Sequence, residues 1–209
     1  MTDAPREGAV DERRNQAVLV RHGETTWSRA GRHTGRTDLE LTDEGRRQAE
    51  LIGRRLRGRH FALVLTSPLR RASETARLAG FGHAEPTDEL LEWDYGAYEG
   101  LTTAQIRARV PGWSLWRDGV PDGETARQVA RRVERVIERV RAADGEALLF
   151  AHGHVLRVLA ARWLGQPARD GRLLKLGPAT LNELGYEHEW PAVELWNDRS
   201  HLSEPWPGV

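Results

Sequence analysis

Residues 17–38 read AVLVRHGETTWSRAGRHTGRTD, and this stretch decides the fold. Its first four residues, AVLV, are apolar, partly β-branched and too few for a stable isolated helix, so they predict a buried strand. Arg21 and His22 then stand at the C-terminal end of a core strand, which is where α/β sheets bind their ligands. Gly23 allows the backbone to turn sharply and to approach a ligand closely. A strand that simply reaches solvent also ends in polar residues, so the stretch alone leaves both interpretations open.

Strands alternate with helices along the rest of the chain. The apolar runs FALVLT at 61–66 and ALLFA at 147–151 predict two more core strands. Apolar residues three or four positions apart predict an amphipathic helix over 125–143. The other expected elements are a helix over 42–56 capped by Thr42, a helix over 69–79 capped by Ser67, a short helix capped by Thr102, a helix ending at Leu164, strands at 180–186 and 193–196, a loop over 26–41, and a loop with exposed aromatic side chains over 113–124.

The length of 209 residues suits one well-buried domain rather than two. Residues 1–16 are polar, highly charged and without apolar periodicity, which predicts a flexible N-terminal tail. Residues 203–209 contain two prolines and are expected to form a loose C-terminal tail. Residues 17–202 are therefore predicted to form a single domain of the α/β class.

Composition argues against several classes of function. The chain has 31 basic and 31 acidic residues, and a formal net charge of zero argues against a nucleic-acid partner. The absence of cysteine rules out disulfides, thiolate nucleophiles and cysteine zinc sites. No apolar run approaches the roughly 18 residues of a membrane span, and residues 1–16 lack the apolar core of a signal peptide, so we expect a cytoplasmic protein without a membrane partner. Lys175 is the only lysine, so any phosphate site must be built from arginine.

Two of the core strands end in the same way, as VLVRHG and LLFAHG, and the third continues into SPLRRA. If the three strands are parallel neighbours, His22 and His152 meet at one edge of the sheet. Arg21 and Arg71 then lie beside them and make a small, strongly positive pocket. Such a pocket suits a phosphoryl group, whose oxygens need stabilisation during transfer. Two such corners after two apolar strands favour a functional site over coincidence.

Four motifs in this order resemble those of the histidine phosphatase superfamily, which includes the cofactor-dependent phosphoglycerate mutases. They are RHGET at 21–25, SPLRRA at 67–72, Glu92 followed by Tyr95-Gly96 and Glu99-Gly100, and AHG at 151–153. The resemblance spans roughly residues 18–194. It implies a single-domain three-layer α/β/α sandwich with a mostly parallel central sheet.

The resemblance also implies how phosphate is attacked and held. His22 is the expected nucleophile, since a neutral imidazole attacks phosphorus near pH 7 without an activating thiol or metal. Arg21, Arg71 and His152 are expected to hold the phosphoryl oxygens. We choose Arg71 over Arg70 because the family arginine directly precedes the alanine.

The remaining site residues also follow from the resemblance. Glu92 is the expected general acid for the leaving alkoxide and then the base for water, although its surroundings in the sequence alone favour a surface carboxylate. Gly153 is expected at the phosphate. Ser28 and Thr34 are secondary contacts to substrate or phosphate, and Ser28 departs from the asparagine that is common in mutases.

The motif HGH at 152–154 raises the alternative of a metal site formed by His22, His152 and His154. No carboxylate accompanies these histidines at a recognisable ligand spacing, and phosphohistidine chemistry needs no metal. We therefore expect neither a metal nor a cofactor.

The choice between phosphatase and mutase depends on what covers the pocket. The mutases of the family carry a long insertion between the acid and the second HG corner, whereas Glu92 and His152 are only 60 positions apart here. Hydrolysis of a small phosphorylated metabolite, such as a sugar phosphate, is therefore favoured, with mutase-type transfer as the alternative. The loop at 113–125 and the run AHGHVLRVLAARW resemble the branch of sedoheptulose-bisphosphatase-like and broad acid phosphatases.

A non-catalytic phospho-ligand module is less favoured, because all five catalytic positions are filled. Dimers occur in the family, and the eight tryptophans are compatible with a homodimer interface.

Overall fold

The computed structural model describes residues 15–202. Most of the two predicted tails, residues 1–14 and 203–209, lies outside the described residues. Asn15 and Gln16, which the sequence assigned to the N-terminal tail, are joined to the domain. The side-chain amide of Asn15 donates to the Arg141 carbonyl at 3.2 Å, and the backbone carbonyl of Gln16 accepts from the Ala147 amide at 3.0 Å. These two residues therefore contact the folded chain.

A central sheet organises the described chain. Its strands are β1 (Ala17–Arg21), β2 (Leu63–Thr66), β3 (Glu85–Pro86), β4 (Ala147–Ala151), β5 (Leu181–Glu187) and β6 (Trp190–Asp198). They lie in the order β3-β2-β4-β1-β5-β6. The first four strands of this order are parallel to one another, and β5 and β6 form an antiparallel hairpin that pairs with β1. This confirms a mostly parallel central sheet.

Helices cover both faces of the sheet. The α-helices are α1 (Thr26–Arg29), α2 (Asp43–Arg55), α3 (Arg70–Leu78), α4 (Thr103–Arg109), α5 (Leu115–Asp118), α6 (Ala126–Ala142) and α7 (Gly153–Trp163). Apolar residues of α2 and α3 pack with Val18, Val20 and Phe150 on one face, and those of α6 and α7 pack with Leu19 and Leu149 on the other. Successive strand residues face opposite sides, so one buried strand supplies both cores. The three-layer sandwich is confirmed. None of the helices in residues 15–202 is long and apolar enough to cross a membrane.

Hydroxyl caps fix where several helices begin. Thr42, Thr102 and Thr125 each accept a hydrogen bond from the amide three residues later. Such caps are worth about 1 kcal/mol each. The predicted cap Ser67 is wrong, because helix α3 begins after Leu69 without a side-chain cap. The Ser67 hydroxyl accepts from the Leu69 amide at 3.4 Å, ahead of the helix, and lies 2.8 Å from Nε2 of His152.

Two segments predicted as loops contain short helices. The 26–41 segment begins with α1, because Thr25 and Ser28 form a reciprocal capping box. The 113–124 segment contains α5, and its Trp113 is buried, not exposed as expected. The Trp113 indole donates to the Gly119 carbonyl at 2.9 Å, and this pairing lets the ring pack into the core.

Candidate active site

The register of β1 and β4 brings the two histidine corners together. Arg21 pairs with Ala151 across the parallel strands, and the His22 amide donates to the Ala151 carbonyl at 3.0 Å. The rings of His22 and His152 consequently lie 5.2 Å apart between centroids, edge to face. The corners thus share one edge of the sheet, as the sequence predicted.

Gly23 is required for packing against helix α2. A Cβ added at Gly23 would lie 2.3 Å from the carbonyl oxygen of Gly45 in helix α2. The backbone after His22 therefore rests directly on α2. The predicted close approach is made to this helix.

His22 is buried, with 4% of its surface exposed, and is held as a neutral imidazole. Its Nδ1 lies 2.7 Å from the Gly23 carbonyl oxygen, which can only accept a hydrogen bond. Nδ1 therefore carries the proton, and Nε2 keeps its lone pair. Burial, followed by the charges of Arg71 and Arg21, lowers the pKa of His22 well below its ordinary value of 6.5. The ring is a free base at neutral pH.

His152 is held in a defined tautomer behind His22. Its Nδ1 accepts a hydrogen bond from Nε of Arg71 at 3.0 Å, and its Nε2 lies 2.8 Å from the Ser67 hydroxyl. Because a guanidinium only donates, the proton of the neutral ring is on Nε2. Burial and the charge of Arg71 also lower the pKa of His152 well below 6.5.

Arg71 is fully buried and mostly bonded to protein. Besides His152, it donates to the carbonyls of Thr34, Gly35 and Thr37 at 2.8 to 3.2 Å. A guanidinium has five N–H groups, so one Nη1 N–H is left without a partner in the described chain. Arg71 therefore braces the 34–37 loop and His152, with one donor left for a ligand.

Arg21 presents an unsatisfied donor. Its Nη1 donates to the Leu176 carbonyl at 2.6 Å, but its Nε is buried and has no partner among residues 15–202. A Cβ added at Gly153 would lie 3.4 to 3.5 Å from the Arg21 guanidinium, so the glycine keeps space beside it. An unpaired buried donor costs about 1–3 kcal/mol, which an acceptor oxygen of a ligand would recover.

Glu92 lies buried at the N-terminus of α7, not on the surface. One carboxylate oxygen accepts from the amides of Trp93 and Val155 at 2.9 and 2.8 Å, and the other accepts from His154 at 2.9 Å. Three backbone donors therefore fix the carboxylate, and its second oxygen, Oε2, has only one of them.

A partly buried ion pair holds the segment that carries Glu92. Two nitrogens of Arg132 donate to the two oxygens of Glu124 at 2.9 and 3.0 Å, and the third reaches the carbonyls of Glu89 and Leu91. Glu124 in turn accepts from the amide of Asp94 at 3.0 Å. The residues on both sides of Glu92 are thereby anchored to helix α6.

These groups surround a cavity of about 260 Å³ at the sheet edge. Arg71 and His152 stand behind the cavity wall. Ser28 reaches the wall, but its hydroxyl is engaged with Thr25 in the α1 cap, and the Thr34 hydroxyl donates to the Arg32 carbonyl at 3.2 Å. The cavity is lined by Arg21, His22, Ser28, Gly31, Arg32, His33, Thr34, Glu92, Tyr95, Gly153, His154, Arg157 and Leu176.

Several lining residues have no role in the sequence-based prediction. The Tyr95 hydroxyl lies 2.6 Å from Nδ1 of His154, so the histidine considered as a metal ligand is paired with a phenol. Among residues 15–202, no group of three or more His, Asp or Glu side chains is arranged to hold a metal ion. His154 could have been found from its position two residues after His152. Nothing local in the sequence marks His33 or Arg157.

Burial of His33 predicts a pH dependence of stability. Burial lowers the pKa of His33 from 6.5 to about 4. Between these values the unfolded chain binds more protons than the folded chain, so the free energy of unfolding falls as the pH falls below about 6.5. At about pH 5 the contribution of His33 is on the order of 2 kcal/mol. Urea unfolding near pH 7.5 and pH 5 should show that His33→Asn loses less stability on acidification than the wild type.

The matched control for this prediction is His188→Asn, because the His188 side chain is 81% exposed. This control should keep the wild-type pH dependence. An identical loss of stability on acidification in His33→Asn and the wild type would contradict the prediction.

The comparisons with known proteins agree with this geometry. Residues 17–199 match the family model of the histidine phosphatase superfamily (branch 1). An acid phosphatase of Mycobacterium tuberculosis is 43% identical over 180 residues, covering 84% of this chain and 89% of that protein. Sedoheptulose 1,7-bisphosphatase of Saccharomyces cerevisiae is 35% identical over 183 residues, covering 72% and 68%. A probable phosphoglycerate mutase of Yersinia enterocolitica is 32% identical over 216 residues, covering 91% and 96%.

A solved structure gives the same result for the fold. The mycobacterial glucosyl-3-phosphoglycerate phosphatase in complex with VO3 superposes with a TM-score of 0.80 at 30% identity, covering 88% of this chain and all of that one. The family model covers nearly all of the described domain, and the relatives exceed 30% identity over most of the chain. The chain therefore belongs to the histidine phosphatase superfamily (branch 1).

Proposed function

We propose that this phosphatase hydrolyses phosphate monoesters of small metabolites through a covalent phosphohistidine on His22. The observation that carries the proposal is that Nε2 of His22 and the buried Nε of Arg21 both lack a hydrogen-bond partner among residues 15–202. A nucleophile and an oxyanion donor, both buried, face the same cavity. The acid phosphatase and bisphosphatase names of the relatives support the same chemistry.

In the first step, Nε2 of His22 attacks phosphorus and the bond to the ester oxygen breaks. Arg21 donates from Nε to a phosphoryl oxygen, and the remaining Nη1 N–H of Arg71 is the further donor behind it. His152 was expected to hold a phosphoryl oxygen as well, but its one N–H is engaged by the Ser67 hydroxyl, so it positions Arg71 instead. These charge-assisted bonds strengthen as negative charge develops on the phosphoryl oxygens. Gly153 leaves room for that group beside Arg21.

Glu92 transfers the proton. Its Oε2, with a single backbone donor, gives a proton to the departing alkoxide, and the resulting carboxylate then takes a proton from the water that attacks the phosphohistidine. Phosphate leaves, and His22 is again a free base. The carboxylate acts in both half-reactions because the backbone amides of α7 keep it in one place.

The packing of the segment between Glu92 and His152 favours hydrolysis over mutase-type transfer. Helices α4, α5 and α6 occupy it, and their residues Ile106, Leu115 and Val129 are buried in the core. The segment is therefore committed to packing and leaves little chain to cover the pocket. A mutase must exclude water until a second hydroxyl accepts the phosphoryl group.

The test is to supply 3-phosphoglycerate together with 2,3-bisphosphoglycerate, and separately an aryl phosphate, and to measure inorganic phosphate and isomerised product. Phosphate release from both sources, in the presence of EDTA, is the expected result, because none of the proposed steps uses a metal. Rapid isomerisation without phosphate release would establish the mutase reaction instead, and turnover that EDTA abolishes would contradict the metal-free mechanism.

Cytoplasmic location and a homodimer belong to the same proposal. A chain without cysteine carries no sign of an oxidising compartment, which supports the cytoplasm. Trp190 and Leu173 remain 68% and 72% exposed, and burying these apolar side chains between two copies would stabilise a homodimer. The sedimentation coefficient of the purified chain measures whether it is a dimer, and a monomer would contradict this part of the proposal.

A further inference from the structure

Arg157 is held rigidly in the wall of the active-site cavity. It lies on the same face of α7 as Gly153, four residues further along, and lines the cavity with it. Its Nε donates to the Gly171 carbonyl at 2.9 Å and its Nη2 to the Arg172 carbonyl at 3.2 Å. Its guanidinium also stacks over the Trp116 ring, 4.6 Å from the centroid.

Trp116 is itself fixed, so the stack does not move freely. Its ring packs against Trp93 at 5.8 Å and against His154 at 5.3 Å between centroids. The Arg157 side chain is therefore positioned before any ligand arrives, which lowers the entropy cost of binding one.

Most of the donor capacity of Arg157 is unused. Two of its five N–H groups are bonded, and in the described chain Nη1 and the second Nη2 N–H have no protein partner. Both acceptors are neutral carbonyls, so contact with them does not neutralise the charge. A guanidinium with a free edge suits a carboxylate or a phosphoryl group.

The charges of the cavity exceed the needs of one phosphoryl group. Its lining has three arginines, Arg21, Arg32 and Arg157, against the single carboxylate of Glu92. Burial keeps the lining histidines neutral near pH 7, because it lowers their pKa values.

Two of these arginines are committed elsewhere. Arg21 belongs to the reacting phosphoryl group, and Arg32 is exposed at the rim, with its guanidinium over Trp27 at 5.8 Å. Arg157 is the fixed cation that remains.

We propose that Arg157 forms a subsite for a second acidic group of the substrate, either a carboxylate or a second phosphoryl group. The preferred substrate is then a small phosphate monoester with an acidic group at its other end. A cavity of about 260 Å³ is smaller than the ~300–1,000 Å³ typical of drug-sized ligands, which agrees with such a compact substrate. The inference rests on the proposed function, since it assigns the other end of the same substrate.

The experiment compares substrates that differ in the second group. 3-Phosphoglycerate is paired with glycerol 3-phosphate, and fructose 1,6-bisphosphate with fructose 6-phosphate. In the wild type, kcat/KM should be at least about tenfold higher for the acidic member of one pair, since a charge-assisted hydrogen bond is lost in the other. The pair that shows the preference identifies the second group as a carboxylate or a phosphoryl group.

Arg157→Gln should reduce that preference to about twofold or less, mainly by raising KM for the acidic substrate, while kcat/KM for the neutral partner stays within about threefold. Arg157→Lys should keep part of the preference, because it keeps the charge but not the planar fork. The control Arg54→Gln removes the same charge from an exposed position on α2 and should leave the preference unchanged.

Retained turnover of the neutral substrate shows that Arg157→Gln is folded. If the wild type hydrolyses both members of each pair equally, or if Arg157→Gln keeps the full preference, the subsite is overturned and the phosphatase mechanism stands. If no member of either pair yields phosphate, and an aryl phosphate does not either, the proposed function itself fails.

Discussion

Replacing His22 with asparagine is expected to lower kcat on an aryl phosphate by on the order of 10⁴-fold or more, because it removes the proposed nucleophile and leaves no route to the covalent intermediate. The carboxamide nitrogen of Asn can replace Nδ1 as the donor to the Gly23 carbonyl, so the corner should stay folded. His22→Ala should be equally inactive but less stable, because the buried Gly23 carbonyl then loses its partner. Release of p-nitrophenol measures the rate.

The control for this loss is His60→Asn, which replaces a histidine outside the cavity. It should have wild-type activity. Circular dichroism and the urea midpoint establish that His22→Asn is folded. A folded His22→Asn protein with activity within about tenfold of the wild type would exclude His22 as the nucleophile.

Replacing Glu92 with glutamine is expected to slow turnover of an alkyl phosphate by about 10²–10⁴-fold, because an alkoxide leaves slowly without a proton. The effect should depend on the leaving group. p-Nitrophenolate needs no proton, so the first step stays fast, and one equivalent of it should appear in a burst. Slow turnover then follows, because the same carboxylate is missing as the base for water.

Glu89→Gln is the matched control. Glu89 lies three residues before Glu92, and its carboxylate forms an ion pair with Arg135 at the surface. It should keep the full rate on both substrates. Glutamine at 92 places an amide hydrogen against a backbone donor such as the His154 amide, so a loss of about 1–3 kcal/mol in stability is expected. An equal slowing on alkyl and aryl substrates, without a burst, would contradict the acid–base role.

The sheet and its catalytic edge could be predicted because their signals are local. The β-branched run before Arg21 and the apolar run before His152 both end in a polar corner, and parallel neighbours place such corners side by side. Thr42 likewise marks the start of α2, since a hydroxyl cap acts within one turn. The family motifs then located Glu92, whose burial depends on amides of a helix more than 60 residues away.

The rest of the site depends on contacts between distant segments. Ser67 has the sequence of a helix cap, yet its hydroxyl meets a ring 85 positions away. Trp113 lies in a polar segment and is buried only because the chain folds back on itself. Arg157 has the pattern of an ordinary helix arginine, and its proposed role follows only from the positions of Trp116 and the Gly171 carbonyl around it. Propensity and periodicity contain no information about such pairings.

In the proposed mechanism, phosphate passes through His22 on its way to water. The most direct measurement is to mix the enzyme with ³²P-labelled p-nitrophenyl phosphate, quench in alkaline detergent within milliseconds, and map the labelled peptide by mass spectrometry. The mechanism predicts a label on His22 that is absent in His22→Asn and approaches one per chain in Glu92→Gln, where the base for water is missing. A label on another residue, or no label on Glu92→Gln after it has released p-nitrophenol, would contradict the mechanism.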